Sequence, residues 1–249
     1  MNWDQRYERQ MLLEGIGASG QEKLRVAKVL VVGAGGLGSP IIMYLAGAGI
    51  GTIGIIDNDV VEVSNLHRQV AHNMKRVGIN KALSAKETVR TLNGDVNVIT
   101  YEAKLDEDDA ENIISGYDFV IDAVDNFQGK FLINDICVSL GIPFCHGTIV
   151  GYQGQAMTWV PEMGPCYRCI FEEAPGDGKY ATSKQVGVLG PAVGVIGSVQ
   201  SIETIKYITG AGNLLTGRLF TFDALTMNTR VVKFPNKRED CKACGNFSQ

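Results

Sequence analysis

The sequence predicts an α/β protein with a Rossmann-like, mostly parallel sheet that has helices on both faces and is extended by antiparallel strands. Three observations support this prediction: β-branched runs alternate with helical stretches, a glycine-rich turn follows the first run, and the strand pattern changes after residue 148. The 249 residues are 45% hydrophobic, which is enough for a sizeable core. We therefore expect one domain with two halves, 1–148 and 149–249.

The predicted strands of the first half are short and mostly apolar. They are predicted at 28–32, 52–56, 96–101, 119–121 and 143–145. Helices are predicted between them, at 40–48, 81–92, 108–114 and 130–140. Because parallel strands are buried on both faces, they are expected to be largely apolar, and these runs are apolar except at positions such as Lys28, Asn97 and Thr100.

The second half has a different pattern of polar and apolar residues. Residues 150–160 alternate in polarity, which predicts a half-buried strand, and further antiparallel strands are predicted at 219–223 and 230–234. A long buried helix is predicted at 193–208, after Gly190 and Pro191. Glycine and charge in the segment 172–184 predict a mobile loop.

Charge and composition narrow the classes of partner. A net charge of -4, from 23 basic and 27 acidic residues, predicts no general attraction to nucleic acid or to an anionic membrane. No residue from 29 to 56 is charged, but the glycines of this segment and Pro40 favour a strand, turn, helix and strand over a membrane span.

Residues 1–10 lack the apolar core of a secretory signal. Cys137 and Cys145 are predicted to be buried thiols, which suggests a cytoplasmic location.

Four cysteines form two C-x-x-C pairs, Cys166 with Cys169 and Cys241 with Cys244. A single pair is also typical of a redox dithiol. Two matched pairs favour one tetrahedral Cys₄ zinc site. Because all four positions would be protein ligands, we expect a structural role for this zinc knot.

A glycine-rich turn, Gly33-Ala34-Gly35-Gly36-Leu37-Gly38, follows a predicted strand and begins a predicted helix. Such a turn lets the backbone approach a phosphate, and the helix N-terminus supplies amide donors. Asp57 ends the next strand, 19 positions after Gly38, where a carboxylate can accept hydrogen bonds from ribose hydroxyls. These features predict a nucleotide site in residues 1–148, and by themselves they favour NAD over ATP.

Polar residues after Asp57 favour a triphosphate. Asn65 and Arg68 follow it closely, and Lys81 starts the next predicted helix. Asp125 lies just beyond the fourth strand, where a carboxylate beside phosphates is most simply a magnesium ligand. Each of these residues also has a simpler interpretation when it is considered alone. Arg68 and Lys81 could be solvated surface charges, and Asp125 could be a helix N-cap.

Together these features resemble the MoeB/ThiF family of adenylyltransferases, which activate ubiquitin-like sulfur-carrier proteins and are related to ubiquitin-activating enzymes. The resemblance spans nearly the whole chain. It includes residues 6–10, 33–38, 57–59, 64–69, 81, 125–126 and 187–203 and both C-x-x-C pairs.

The resemblance implies a single adenylation domain that binds ATP, Mg²⁺ and Zn²⁺, with the carrier bound by the half at 149–249. It implies a homodimer in which Arg9 reaches the phosphates of the partner subunit, although Arg9 is also typical of an exposed charge. Catalysis would involve Arg9, Arg68, Lys81 and Asp125. Nucleotide or metal contacts are expected at Gly33, Gly35, Gly36, Gly38, Asp57, Asp59, Asn65, Arg68, Lys81, Asp125 and Asn126.

The implied reaction is attack by the carrier's C-terminal glycine carboxylate on the α-phosphorus of ATP. Many relatives carry a cysteine before the segment that matches Gly187, and Ser183 occupies this position here. Because a hydroxyl cannot carry persulfide sulfur, we expect an enzyme that stops at the adenylate.

Three alternatives remain open at this point. The glycine turn and Asp57 also occur in NAD-dependent oxidoreductases, although the second half offers no evident hydride-transfer site. The protein could instead be a non-catalytic binder of a ubiquitin-like partner. Activation of a carboxylate on tRNA is opposed by the acidic balance of the chain.

Overall fold

The computed structural model describes residues 3–173, 183–234 and 236–245, without the side chains of residues 3, 4, 183 and 184. Within them, one eight-stranded sheet has the order β3-β2-β1-β4-β5-β6-β7-β8. Strands β1 to β5 are parallel, and β6, β7 and β8 extend the sheet in antiparallel fashion. The strands are β1 (Lys28–Val32), β2 (Thr52–Ile56), β3 (Asn97–Tyr101), β4 (Phe119–Asp122), β5 (Phe144–Val150), β6 (Gln153–Trp159), β7 (Arg218–Asp223) and β8 (Asn228–Lys233).

Helices connect and cover these strands. Those of the described residues are α1 (Trp3–Met11), α2 (Gly17–Val26), α3 (Gly38–Ala48), α4 (Lys81–Leu92), α5 (Ala110–Ile114), α6 (Phe127–Leu140), α7 (Tyr167–Ile170), α8 (Ser183–Val186) and α9 (Gly190–Thr209). Helix α9 has Pro191 in its first turn, where no amide donor is needed, and ends at Gly210 in the left-handed conformation. None of these helices combines the length and apolar character that a membrane span requires.

Apolar side chains of the parallel strands pack on both faces of the sheet. Val29 and Val31 of β1 belong to a core with α3, α4 and α9, whereas Leu30 and Val32 belong to a core with α5 and α6. Alternate residues of a strand point to opposite faces, so a strand covered on both sides must be apolar throughout. The predicted Rossmann-like sheet with an antiparallel extension is confirmed.

The boundary between the parallel and antiparallel parts differs from the prediction. The strand predicted at 143–145 continues to Val150, and β6 begins at Gln153, so residues 150–160 are not one strand. Gly151, with φ of 60°, turns the chain between them, and Val150 pairs with Gln153. Alternating polarity continues through this turn, which is why the pattern did not separate the strands. Of the loop predicted to be mobile, residues 174–182 lie outside the described residues.

Candidate active site

The carboxyl ends of β1, β2 and β4 border a cleft of about 1350 Å³. Ligands bind at this edge in open parallel sheets, where the strand order reverses. The residues of the predicted nucleotide site that line the cleft are Gly33, Gly35, Gly36, Asp57, Asp59, Asn65, Arg68, Lys81, Asp125 and Asn126. Gly38 and Arg9 do not line it.

Two glycines of the turn lie so close to neighbouring backbone groups that no side chain would fit there. Gly33 has φ of 100°, and a Cβ there would lie 2.8 Å from the carbonyl oxygen of Ala123. A Cβ at Gly38 would overlap the carbonyl group of Gly33. Gly38 therefore allows α3 to start directly against the turn, and its location favours packing over contact with a nucleotide.

Asp57 ties the turn to the end of β2. One carboxylate oxygen accepts a hydrogen bond from the Ala34 N–H at 2.7 Å, and the other accepts from the Asp59 N–H at 2.8 Å. Burial raises the pKa of Asp57, while these amides and the charge of Lys81 oppose the rise. Each oxygen keeps a second lone pair, so the carboxylate can still accept from ribose hydroxyls.

The two predicted phosphate-binding cations both line the cleft. Lys81 is 7% exposed, and its ammonium lies 2.7 Å from a carboxylate oxygen of Asp59, which is 64% exposed. The Arg68 guanidinium donates to the carbonyl oxygen of Ser64 at 3.1 Å and contacts His67 Nε2 at 2.7 Å. A polyanion in the cleft would therefore meet a buried ammonium and a guanidinium.

Asp125 faces the cleft with an exposed side chain. Among the described residues, no hydrogen bond or ion pair involves its carboxylate. The N-cap of α6 is Asn126, whose Oδ1 accepts from the Gly129 N–H at 2.8 Å, so the alternative of Asp125 as the cap is wrong. A carboxylate that makes no hydrogen bond or ion pair, in a cleft that also holds the Arg68 and Lys81 cations, fits Mg²⁺, which prefers one or two carboxylates together with phosphate oxygens.

A buried cluster behind Asp125 was not predicted from the sequence. His146 Nδ1 lies 2.6 Å and Lys130 Nζ 3.3 Å from Asp122 Oδ2. Burial opposes ionisation of Asp122, but Lys130 and His146 outweigh it and lower its pKa. Burial also lowers the pKa of both His146 and Lys130. Asp122 ends β4 and pairs with His146 of β5, so their position at the end of the parallel β4–β5 pairing was the available signal.

Helix α1, which carries Arg9, packs at the opposite edge of the sheet from the cleft. The Tyr7 hydroxyl accepts from Asn93 Nδ2 at 2.7 Å, just after the end of α4, and Gln10 donates to the carbonyl oxygen of Ala48 at 3.1 Å, in the last turn of α3. Arg9 itself is exposed. It cannot serve the cleft of its own chain from this location.

The four paired cysteines converge, as the zinc prediction requires. Their Sγ atoms all lie within 4.8 Å of one another. Sγ–Sγ distances are 4.0 Å for Cys166 and Cys169, 3.6 Å for Cys166 and Cys241, and 3.4 Å for Cys169 and Cys244. Sulfurs around tetrahedral Zn²⁺ are about 3.8 Å apart, given Zn–S bonds of about 2.3 Å. The cluster therefore fits a Cys₄ zinc ion.

Comparison with known proteins assigns the chain to a family. The model of the ThiF family matches residues 7–243. The protein therefore belongs to the ThiF family, in agreement with the resemblance found in the sequence.

Two relatives illustrate this family. The chain is 45% identical over 241 residues to "Adenylyltransferase and sulfurtransferase MOCS3" of Culex quinquefasciatus, covering 97% of this chain and 55% of the relative. It is also 45% identical over 240 residues to "SAMP-activating enzyme E1" of Haloferax volcanii, covering 96% of this chain and 88% of the relative. The chain thus spans little more than half the length of the MOCS3 relative.

Solved structures support the fold. The crystal structure of E. coli MccB with MccA-N7isoASN superposes with a TM-score of 0.87 at 24% identity, over 98% of this chain and 76% of that chain. At this identity the similarity concerns the fold alone.

Proposed function

We propose that this protein is an ATP-dependent adenylyltransferase that activates the C-terminal glycine carboxylate of a ubiquitin-like sulfur-carrier protein for molybdopterin or thiamine-type sulfur transfer. Family membership and the names of the relatives support this proposal. They do not favour an NAD-dependent oxidoreductase or a non-catalytic binder.

One observation carries the proposal. The cleft brings the glycine turn, the Asp57 carboxylate and the cations of Lys81 and Arg68 to the same edge of the sheet as the unpartnered Asp125 carboxylate. A dinucleotide pyrophosphate is largely satisfied by a glycine turn. Two cations and a carboxylate free to bind a metal are instead suited to a triphosphate with its divalent ion.

In the proposed reaction, an oxygen of the carrier carboxylate bonds to the α-phosphorus of ATP as the bond from that phosphorus to the leaving pyrophosphate breaks. Asp57 orients the ribose, and Arg68 and Lys81 align the phosphates and offset their charge. When bound at Asp125, Mg²⁺ supplies further charge neutralisation to the phosphates. No protein nucleophile is needed for this step.

The remaining assignments belong to the same proposal. The chain is a single adenylation domain, with nucleotide bound by 1–148 and the carrier by 149–249. Further nucleotide contacts come from Gly33, Gly35, Gly36, Asp59, Asn65 and Asn126. The enzyme is a homodimer in which the Arg9 of one subunit serves the cleft of the other. Its six free cysteines are compatible with a reducing cytoplasm.

ATP–pyrophosphate exchange tests this function. The carrier is first identified by copurification and intact mass, and exchange is then measured with and without it. We expect exchange that requires both ATP and carrier, and binding of labelled ATP in preference to NAD. Exchange without carrier dependence, or preferential NAD binding, would contradict the proposal.

A further inference from the structure

Lys130 is the cation of the buried cluster behind Asp125. It extends from the first turn of α6 and is 4% exposed. Its ammonium donates to the carbonyl oxygens of Val124 at 2.7 Å and Gly147 at 2.9 Å and lies 3.3 Å from an oxygen of Asp122. An ammonium has three protons. These contacts therefore use its full donor capacity, and none remains for a ligand although Lys130 borders the cleft.

The backbone N–H and C=O of Val124, the residue before Asp125, both make hydrogen bonds to this cluster. The Val124 N–H donates to Asp122 Oδ1 at 3.2 Å, and its carbonyl oxygen accepts from Lys130. After Asp125, Asn126 is held by its cap to Gly129. The backbone is thus restrained on both sides of Asp125, and these contacts set the direction of its Cα–Cβ bond toward the cleft.

We propose that Lys130 is a positioning residue for the metal end of the cleft. Through the Val124 carbonyl it sets the location of the Asp125 carboxylate, and so the affinity of the nucleotide-loaded site for a divalent cation. The inference rests on the proposed function for the role of Asp125. Groups that orient metal ligands in this way are worth about 10–100-fold in metal affinity.

Lys130→Met tests the role of the ammonium. Methionine fills a similar apolar volume but has no charge and no hydrogen-bond donor, so an effect of this substitution does not come from lost packing. Lys130→Arg keeps the charge opposite Asp122 but moves the donors. Lys206→Met is the matched control: Lys206 pairs with the buried Glu203 and donates to the carbonyl oxygen of Asn213 at 2.7 Å, and it does not line the cleft.

The experiment measures the Kd of labelled ATP by equilibrium dialysis, once with saturating Mn²⁺ and once with EDTA. For Lys130→Met we expect the Kd with Mn²⁺ to rise about 10-fold or more, while the Kd with EDTA stays within about threefold of wild type. Lys130→Arg should give a smaller rise with Mn²⁺ only. Lys206→Met should leave both constants unchanged, even where its thermal stability falls.

Wild-type values of both dissociation constants in folded Lys130→Met, or an equal rise of both constants, would overturn the inference. A selective Mn²⁺ effect in Lys206→Met would also overturn it. If Lys130→Met does not fold, the same comparison of the two dissociation constants in Lys130→Arg tests the inference. Failure of wild-type protein to bind ATP under either condition would instead contradict the proposed function.

Discussion

Asp125 differs from the other carboxylates that line the cleft. Asp57 accepts from two amides, Asp59 pairs with Lys81, Glu62 accepts from Ser64, and Glu173 lies within 3.4 Å of the Lys242 ammonium. Within the described part of the chain, Asp125 alone among them makes no such contact. A carboxylate that makes no hydrogen bond or ion pair and acts on the protein only through its charge near Lys130 can be removed with little effect on folding, so its loss should report on ligand binding.

Asp125→Ala is therefore expected to reduce carrier-dependent ATP–pyrophosphate exchange by roughly 100-fold or more, because it would remove a ligand of the Mg²⁺ that offsets developing negative charge, and groups with that role are worth about 10²–10³ in rate. Its melting temperature should remain close to that of wild type. Asp108→Ala is the control, because Asp108 is also exposed and does not line the cleft. Full exchange activity in Asp125→Ala would remove Asp125 from the site.

Ser183 tests whether adenylation is the end point. Its side chain lies outside the described residues. We expect Ser183→Ala to keep near-normal adenylation, because no covalent step passes through its hydroxyl. The two cysteines outside the zinc cluster, Cys137 and Cys145, are poor nucleophiles, since burial raises the pKa of both thiols well above the usual range.

The measurement is intact-protein mass spectrometry of wild type after incubation with ATP, Mg²⁺ and carrier in the absence of reductant. No covalent adduct with the carrier should accumulate. An adduct mapped to any of the six cysteines would show that the enzyme does more than adenylate.

At the scale of elements, α6 joins the cysteine cluster to the cleft. Its N-terminus follows Asp125, and its middle is held by α7, which follows Cys166 and contains Cys169. The Tyr167 N–H donates to Asn134 Oδ1 at 2.9 Å, and Arg168 pairs with Asp135 at 2.6 Å. The Arg168 guanidinium also lies 4.5 Å from the centre of the Phe131 ring. Loss of the cluster should consequently loosen α6.

We expect about one tightly bound zinc per chain, and we expect Cys169→Ser or Cys244→Ser to lower both zinc content and thermal stability. The apparent free energy of zinc binding to small structural sites is roughly 10–16 kcal/mol, so loss of a ligand should lower the free energy of unfolding. Cys137→Ala is the control: it alters a buried thiol outside the cluster and should retain the zinc. Normal stability of wild-type protein after complete zinc removal would refute a structural role.

At the scale of the whole molecule, the location of α1 requires a partner if Arg9 acts in catalysis. Arg9→Ala should lose activity without losing dimerisation. Mixing it with Arg68→Ala should restore roughly a quarter of wild-type activity, since half of randomly paired dimers are mixed and one of their two sites is complete. The matched control mixes Arg68→Ala with Asp125→Ala, which leaves each cleft defective. Verified subunit exchange with no recovered activity would exclude the cross-subunit role.

Much of the fold could be predicted because its signals are local. Apolar β-branched runs separated by helical stretches indicated a covered parallel sheet, and two C-x-x-C pairs indicated one metal cluster. Chain order also brought Asp57 and Asp125 to the same edge, because parallel strands end together. The hairpin at Gly151 was missed because alternation in polarity is the same on both sides of a tight turn.

The sequence by itself determined the fold class, the family resemblance, the cysteine cluster and most residues of the cleft, since each depends on residue type, spacing or strand order. Only the tertiary structure decided that Gly38 packs against the turn instead of lining the cleft, that Asp125 has no protein partner among the described residues, and that Lys130, Asp122 and His146 share one buried cluster. These facts depend on distances between side chains from different elements. Periodicity and spacing encode the direction of a side chain along its own element, but not what it meets across the core.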